Sequence, residues 1–131
     1  MNIRRISLTL TLIILSTLLF TACAGGADAP AQAVENYYQA LADKDQDLLV
    51  SLTCADFETT ALRDFDSFVS VDTTLTDFAC QTVSENGDTA SVTCTGAISA
   101  TYQGEAQEFP LSGQTFLTIK QAGEWLMCGY E

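Results

Sequence analysis

Hydrophobic and polar positions along the chain fall into three regimes. Ile6 to Phe20 is an apolar run of 15 residues broken only by Ser7, Thr9, Thr11, Ser16 and Thr17, and it follows the basic start Met1 to Arg5. From Pro30 the period becomes helical. Val34, Tyr37, Tyr38 and Leu41 fall at i, i+3, i+4 and i+7, Pro30 suits a first helical turn, and the helix is expected to end at Asp43. Asp45 or Asp47 is placed to cap a second helix carrying Leu48, Leu49 and Leu52, and Thr59 or Thr60 to cap a third with Leu62, Phe65, Phe68 and Val69 inward. From Thr73 the residues are Thr, Val, Ile and aromatics, with turn signals at Asn86-Gly87, Gly104-Glu105 and Ala122-Gly123. This pattern predicts four antiparallel strands, roughly 74–83, 89–102, 107–120 and 124–130. Helices followed by a meander predict an α+β domain with the helices on one face of a four-stranded sheet.

A permanent bilayer span needs about 20 apolar residues, so the opening run is short for one. With its basic start it reads as the n-region and h-region of a secretory signal. Phe20-Thr21-Ala22-Cys23, preceded by Leu18-Leu19, resembles the lipobox of bacterial lipoproteins, where small residues precede a cysteine that is diacylated and becomes the new N-terminus. Phe20 departs from the leucine usual at that position. The resemblance implies a signal peptide over 1–22, lipidation of Cys23, a short tether over 23–30 and one domain over 31–131. The partner is then the membrane itself, either the outer face of the cytoplasmic membrane or the outer membrane, reached through two acyl chains. Ala24 in place of aspartate is what the family's sorting rule associates with the outer membrane.

Charge narrows the partners further. Beyond Cys23 only Lys44, Arg63 and Lys120 stand against all 17 acidic residues, a formal charge of −14 for the mature chain. Such a domain repels phosphate backbones, so nucleic acid is excluded as a partner, while cationic partners stay open.

Cys54, Cys80, Cys94 and Cys128 remain in a chain read as exported, which makes oxidised pairs the expectation. No two are spaced C-x-x-C, and histidine is absent, so neither a redox centre nor a zinc site is indicated. Of three possible pairings we favour Cys80 with Cys94, flanking the turn signal at residues 85–88, and Cys54 with Cys128, tying the helical half to the last strand. A two-residue Asn86-Gly87 hairpin would set Cys80 opposite Thr93. The first pair therefore needs a bulge or an odd-length loop, such as a three-residue connection from Asn86 to Asp88.

The segments VENYYQALADKDQDLLVSL, NGDTASVTC and FLTIKQAGEWLMCGYE resemble small lipoproteins of the nuclear transport factor 2-like superfamily. The resemblance implies helices packed into a strongly curved antiparallel sheet to form a cone, or the related cystatin-like arrangement. Enzymes of that superfamily commonly use a His/Asp or Asp/Tyr arrangement inside the cone, and the first is impossible here without histidine. Tyr37, Tyr38, Tyr102 and Trp125, with Tyr130, are candidates to line a cone mouth, although their spacing equally suits a packed core. Asp77 and Glu124 lie on predicted strands and read as solvent-facing. No acidic residue is singled out as inward.

Asp43, Asp45 and Asp47 in DKDQD resemble the opening of a calcium loop, but the sixth and twelfth positions are Leu48 and Cys54 instead of glycine and glutamate. They read as a solvated turn with helix caps, so no metal site is assigned. No Gly-rich phosphate loop or nucleophile elbow is present and no cofactor is indicated; Ser112-Gly113 reads as an ordinary strand dipeptide. Together with the lipobox, this makes a non-catalytic membrane-anchored module, binding a small molecule or a protein, the function expected. The alternative is a small-molecule enzyme using a carboxylate or tyrosine within the cone.

Overall fold

The computed structural model describes residues 28–131. The expected signal peptide, Cys23 and most of the expected tether lie outside the described residues. Helix α1 (Ala29–Asp43) starts with Pro30 in its first turn and ends at Lys44, which adopts a left-handed conformation and returns its N–H to the carbonyls of Ala40 and Leu41. The Lys44 ammonium then donates to the carbonyl of Phe68 and the hydroxyl of Thr73, both at 2.6 Å, fastening three elements at one corner. In α2 (Gln46–Ser51) the Asp45 carboxylate accepts from the N–H of Leu48 at 3.0 Å, so the helix cap is Asp45 and not Asp47.

Helix α3 (Glu58–Phe68) corrects the predicted third helix. It begins before Thr59, and Phe57 at its cap position supplies no side-chain hydrogen bond; the buried Phe57 anchors the first turn, its carbonyl accepting from the N–H groups of Thr60 and Ala61. The buried stripe is Phe57, Ala61 and Phe65, with Phe68 beside it. Leu62 is only half-buried, and Val69, expected inward, is 45 % exposed.

The sheet has five strands where four were expected: β1 (Asp72–Asn86), β2 (Thr89–Tyr102), β3 (Glu105–Pro110), β4 (Thr115–Gln121) and β5 (Glu124–Tyr130). The predicted strand over 107–120 is broken in two. Pro110 has no N–H to continue a ladder, and Gly113 turns the chain at φ +87°, so Ser112-Gly113 is a turn and not a strand dipeptide. All pairings are antiparallel in the order β1-β2-β4-β5, with β3 beside the distal half of β2. Thus β2 serves two partners, residues 89–93 pairing with β4 and residues 97–102 with β3.

The switch between those halves is a bend. A register shift between Thr76 and Ala79 puts Asp77 at φ +48° on β1, opposite Gly96 at φ +85° on β2. A Cβ at Gly96 would collide with the carbonyl oxygens of Thr76 and Asp77, so only glycine fits this curvature. Helix α1 lies in the resulting concavity, with Val34, Tyr37, Leu41, Leu49, Val92, Phe116 and Met127 fully enclosed.

Cys80 stands directly across from Cys94, and the pair forms one disulfide; Cys54–Cys128 forms the other, with Cα separations of 4.0 and 5.2 Å. The required register comes from a bulge rather than a three-residue loop. Asn86 pairs with Thr89 across a two-residue Gly87-Asp88 turn, and a second shift between Thr82 and Ser84 restores the Cys80–Cys94 alignment. Along the β1-β2-β4-β5 path both outer edges are occupied. On β1 the Asp28 carboxylate accepts from the N–H of Thr82 at 2.7 Å and from its hydroxyl, and Glu35 accepts from the N–H of Cys80 at 2.8 Å. On β5, Met127 exchanges 2.9 Å hydrogen bonds with Leu52 and Cys54.

Candidate functional site in the cone

Curving the sheet around α1 leaves a cavity of about 230 Å3 between α3, the β3–β4 turn and the end of β5. Tyr38 of α1, Asp64 and Phe68 of α3, Phe109 of β3, Gln114 of the β3–β4 turn and Tyr130 of β5 form its walls, over an aliphatic floor of Leu41, Ile98 and Leu111. Each is delivered by its element's phase. Asp64 lies three residues after Ala61 and seven after Phe57, on the stripe that α3 buries, which turns a carboxylate inward. Tyr130 ends β5 with its ring edge-on to Phe57 at 5.5 Å, and Phe109 is held by Phe68 at 5.4 Å and Tyr102 at 6.4 Å between ring centroids.

Asp64 is the polar centre. Its Oδ2 accepts from the hydroxyl of Tyr37 at 3.3 Å, and both its oxygens lie 3.3 Å from the hydroxyl of Tyr130. Burial pushes the Asp64 carboxyl above its ordinary 3.8, opposed by the two tyrosine hydrogen bonds and by the Arg63 charge. Burial, reinforced by the Asp64 charge, raises Tyr37, Tyr38 and Tyr130 as well. The phenols therefore stay protonated. Tyr37 and Tyr130 spend their single hydrogens on Asp64, which leaves the carboxylate as a fixed acceptor with aromatic rings around it.

The five aromatics considered for the mouth are not gathered in one place; of them Tyr38 and Tyr130 line the cavity. Tyr37 stands behind it, fully enclosed, with its hydroxyl on Asp64. Tyr102 lies outside the lining, supporting Phe109 and donating to the carbonyl of Ser67 at 3.5 Å. Trp125 is remote because it opens β5 whereas Tyr130 closes it, about 17 Å along an extended strand. Its ring packs under the Lys120 ammonium, 5.9 Å from the centroid.

Asp64, the carboxylate nearest to chemistry, is the residue that sequence reasoning missed. The signal was the stripe of α3, readable once Phe57 and Ala61 are taken as inward in place of Leu62 and Val69. Asp77 and Glu124 are exposed. In DKDQD, Asp45 caps α2 and Asp43 accepts from Gln39 at 3.0 Å; among the described residues no three His, Cys, Asp or Glu side chains gather to hold a metal. A second cavity of about 240 Å3, bordered by Ser84, Ser91, Leu117 and Ile119, has no titratable side chain in its lining and offers no comparable chemistry.

Solved structures share this architecture at low sequence identity. An NTF2-like protein with a cystatin-like fold from Novosphingobium aromaticivorans superposes with a TM-score of 0.55 at 13 % identity, over 99 % of this chain and 88 % of its own. The fold is the nuclear transport factor 2-like cone. A candidate ketosteroid isomerase from Shewanella frigidimarina superposes with a TM-score of 0.56 at 18 % identity, covering 81 % of this chain and 95 % of its own. For a candidate dehydratase of the NTF2-like family from Streptomyces avermitilis the TM-score is 0.55 at 21 % identity, over 76 % and 88 %. At such identities the likeness defines the fold alone. No protein-family model and no curated protein matches the chain.

Proposed function

We propose that the protein is an exported lipoprotein whose cone is a small-ligand receptor, held at a membrane surface by a lipid on Cys23. The observation that carries the ligand reading is the half-open aromatic wall. Of the five large hydrophobic side chains exposed among the described residues, Phe109 at 37 % and Tyr130 at 39 % border the same cavity, with a half-buried carboxylate between α3 and β5. Apolar walls with a few fixed polar groups are the general form of a small-molecule site. Export is supported by two disulfides in a small domain, an arrangement suited to an oxidising compartment, and by the lipobox sequence.

Cys23→Ala in the native host tests the anchor. Wild-type protein is expected in the membrane pellet and the variant in the soluble fraction; a variant that still pellets overturns the lipid anchor. Native mass spectrometry of the detergent-extracted wild type reads the receptor role directly, with a bound small molecule as the expected result. A second reading, an enzyme with Asp64 as general base, has one observation in its favour: burial raises that carboxyl toward the range useful for proton transfer, next to the Tyr38 side chain. Recovery of the extracted ligand chemically unchanged after incubation supports the receptor, and its conversion supports the enzyme.

A further inference from the structure

Building on the reading of the cone as a small-ligand site, we propose that its ligand is a small organic cation, an amine or quaternary ammonium group seated against Asp64 with its substituents between the rings of Tyr38, Phe68, Phe109 and Tyr130. Three ligand classes meet this cavity differently. An anion faces the Asp64 carboxylate at contact range within a mature domain of formal charge −14, so its entry is opposed both locally and at distance. A neutral apolar molecule fills the space but strips the remaining water from Asp64 and offers no compensating partner. A cation gains at both ends. It neutralises the carboxylate where burial already disfavours a lone charge, and its methyl or methylene groups lie against the aromatic side chains of the walls.

The hydrogen bonding favours the same class. The hydroxyls of Tyr37 and Tyr130 point their hydrogens at Asp64, which fixes the carboxylate from behind and one side and leaves its other lone pairs for a donor in the cavity. Arg63 is the protein cation acting on Asp64, but it is exposed on the outer side of α3 and does not line the cavity, so the ligand's charge is not preempted. At about 230 Å3 the cavity falls below the roughly 300–1,000 Å3 typical of drug-sized pockets, which limits the occupant to a compact headgroup.

Choline, its neutral carbon isostere 3,3-dimethylbutan-1-ol and its anionic relative 3,3-dimethylbutanoate separate these classes when titrated into the detergent-solubilised full protein and followed by NMR. Choline is expected to bind at least about tenfold more tightly than the alcohol, with shifts at Phe109 and Tyr130, and to weaken as pH falls and Asp64 takes up a proton. Asp64→Asn should erase the preference. Phe109→Leu, on the exposed rim, should weaken choline several-fold while the alcohol is less affected. Equal affinity for choline and the alcohol, or a preference that survives in Asp64→Asn, overturns the cation assignment but keeps the cone as a receptor. Binding of the anion alone does the same. Failure of all three, and of a neutral probe such as phenol, overturns both readings.

Discussion

At the residue scale, Asp64 concentrates the conflict between stability and use. Its carboxyl is raised by burial, so ionisation costs more in the folded chain than in the unfolded one, and the cost is present at every pH above the folded value. Asp64→Asn keeps an oxygen to accept from Tyr130 and removes the charge. The thermal midpoint at pH 7 is expected to rise, by no more than about 2 °C because solvent screens a half-exposed carboxylate. The difference should close as pH falls through the raised folded value toward the ordinary 3.8, where the carboxyl is protonated in both states. Thermal melts at pH 7 and pH 3.5 check this. A lower midpoint for the variant at pH 7 would mean that the carboxylate holds α3 to β5 instead of waiting for a ligand. A residue whose removal stabilises the fold is the signature of a site kept for function.

At the element scale, the edge of β1 is closed by carboxylates from α1 and the residue before it. Asp28 accepts twice from Thr82, and those hydrogen bonds, the side-chain one foremost, hold its carboxyl below the ordinary 3.8. A depressed folded value contributes stability above 3.8 and loses it as pH falls through the folded value. Amide exchange at Thr82, corrected for its intrinsic pH dependence, should lose protection below pH 3.8, and Asp28→Ala should bring a loss on the order of tenfold already at pH 6. Protection at Thr82 unchanged in Asp28→Ala would show that the edge is closed without it. Asp28 falls within the expected tether over 23–30, so this contact also fixes that part of it against the β1 edge.

At the scale of the whole molecule, two disulfides do different work. Cys80–Cys94 closes a separation of 14 residues within one hairpin, whereas Cys54–Cys128 closes 74 and joins the helical half to the edge strand. The chain-entropy model assigns about 3 kcal/mol to the first and roughly 4–5 kcal/mol to the second. Replacing Cys54 and Cys128 by alanine should therefore lower the urea midpoint more than replacing Cys80 and Cys94. The reverse order would place the main constraint in the hairpin. Loss of the long crosslink should also loosen the Leu52–Cys54 segment that covers β5, and with it Tyr130 and the wall of the cone.

Local periodicity was enough to place α1, α2 and, to within one residue, three of the four strand turns, because an amphipathic stripe, a capping aspartate and a glycine at positive φ are decided by neighbours a few residues apart. Cysteine parity in a chain read as exported likewise pointed to the two crosslinks. What lay beyond the sequence were quantities set by distant partners. The break of the long third strand follows from β3 and β4 pairing with different halves of β2, and the Cys80–Cys94 register depends on a bulge that no turn signal announces. The phase of α3 was ambiguous from Leu62, Phe65, Phe68 and Val69 alone, since two neighbouring stripes are both apolar. Only packing against Tyr37 and Tyr130 selects the one that carries Asp64 inward. The site therefore belongs to the tertiary structure: it joins α1, α3, β3 and β5, elements that no local pattern connects.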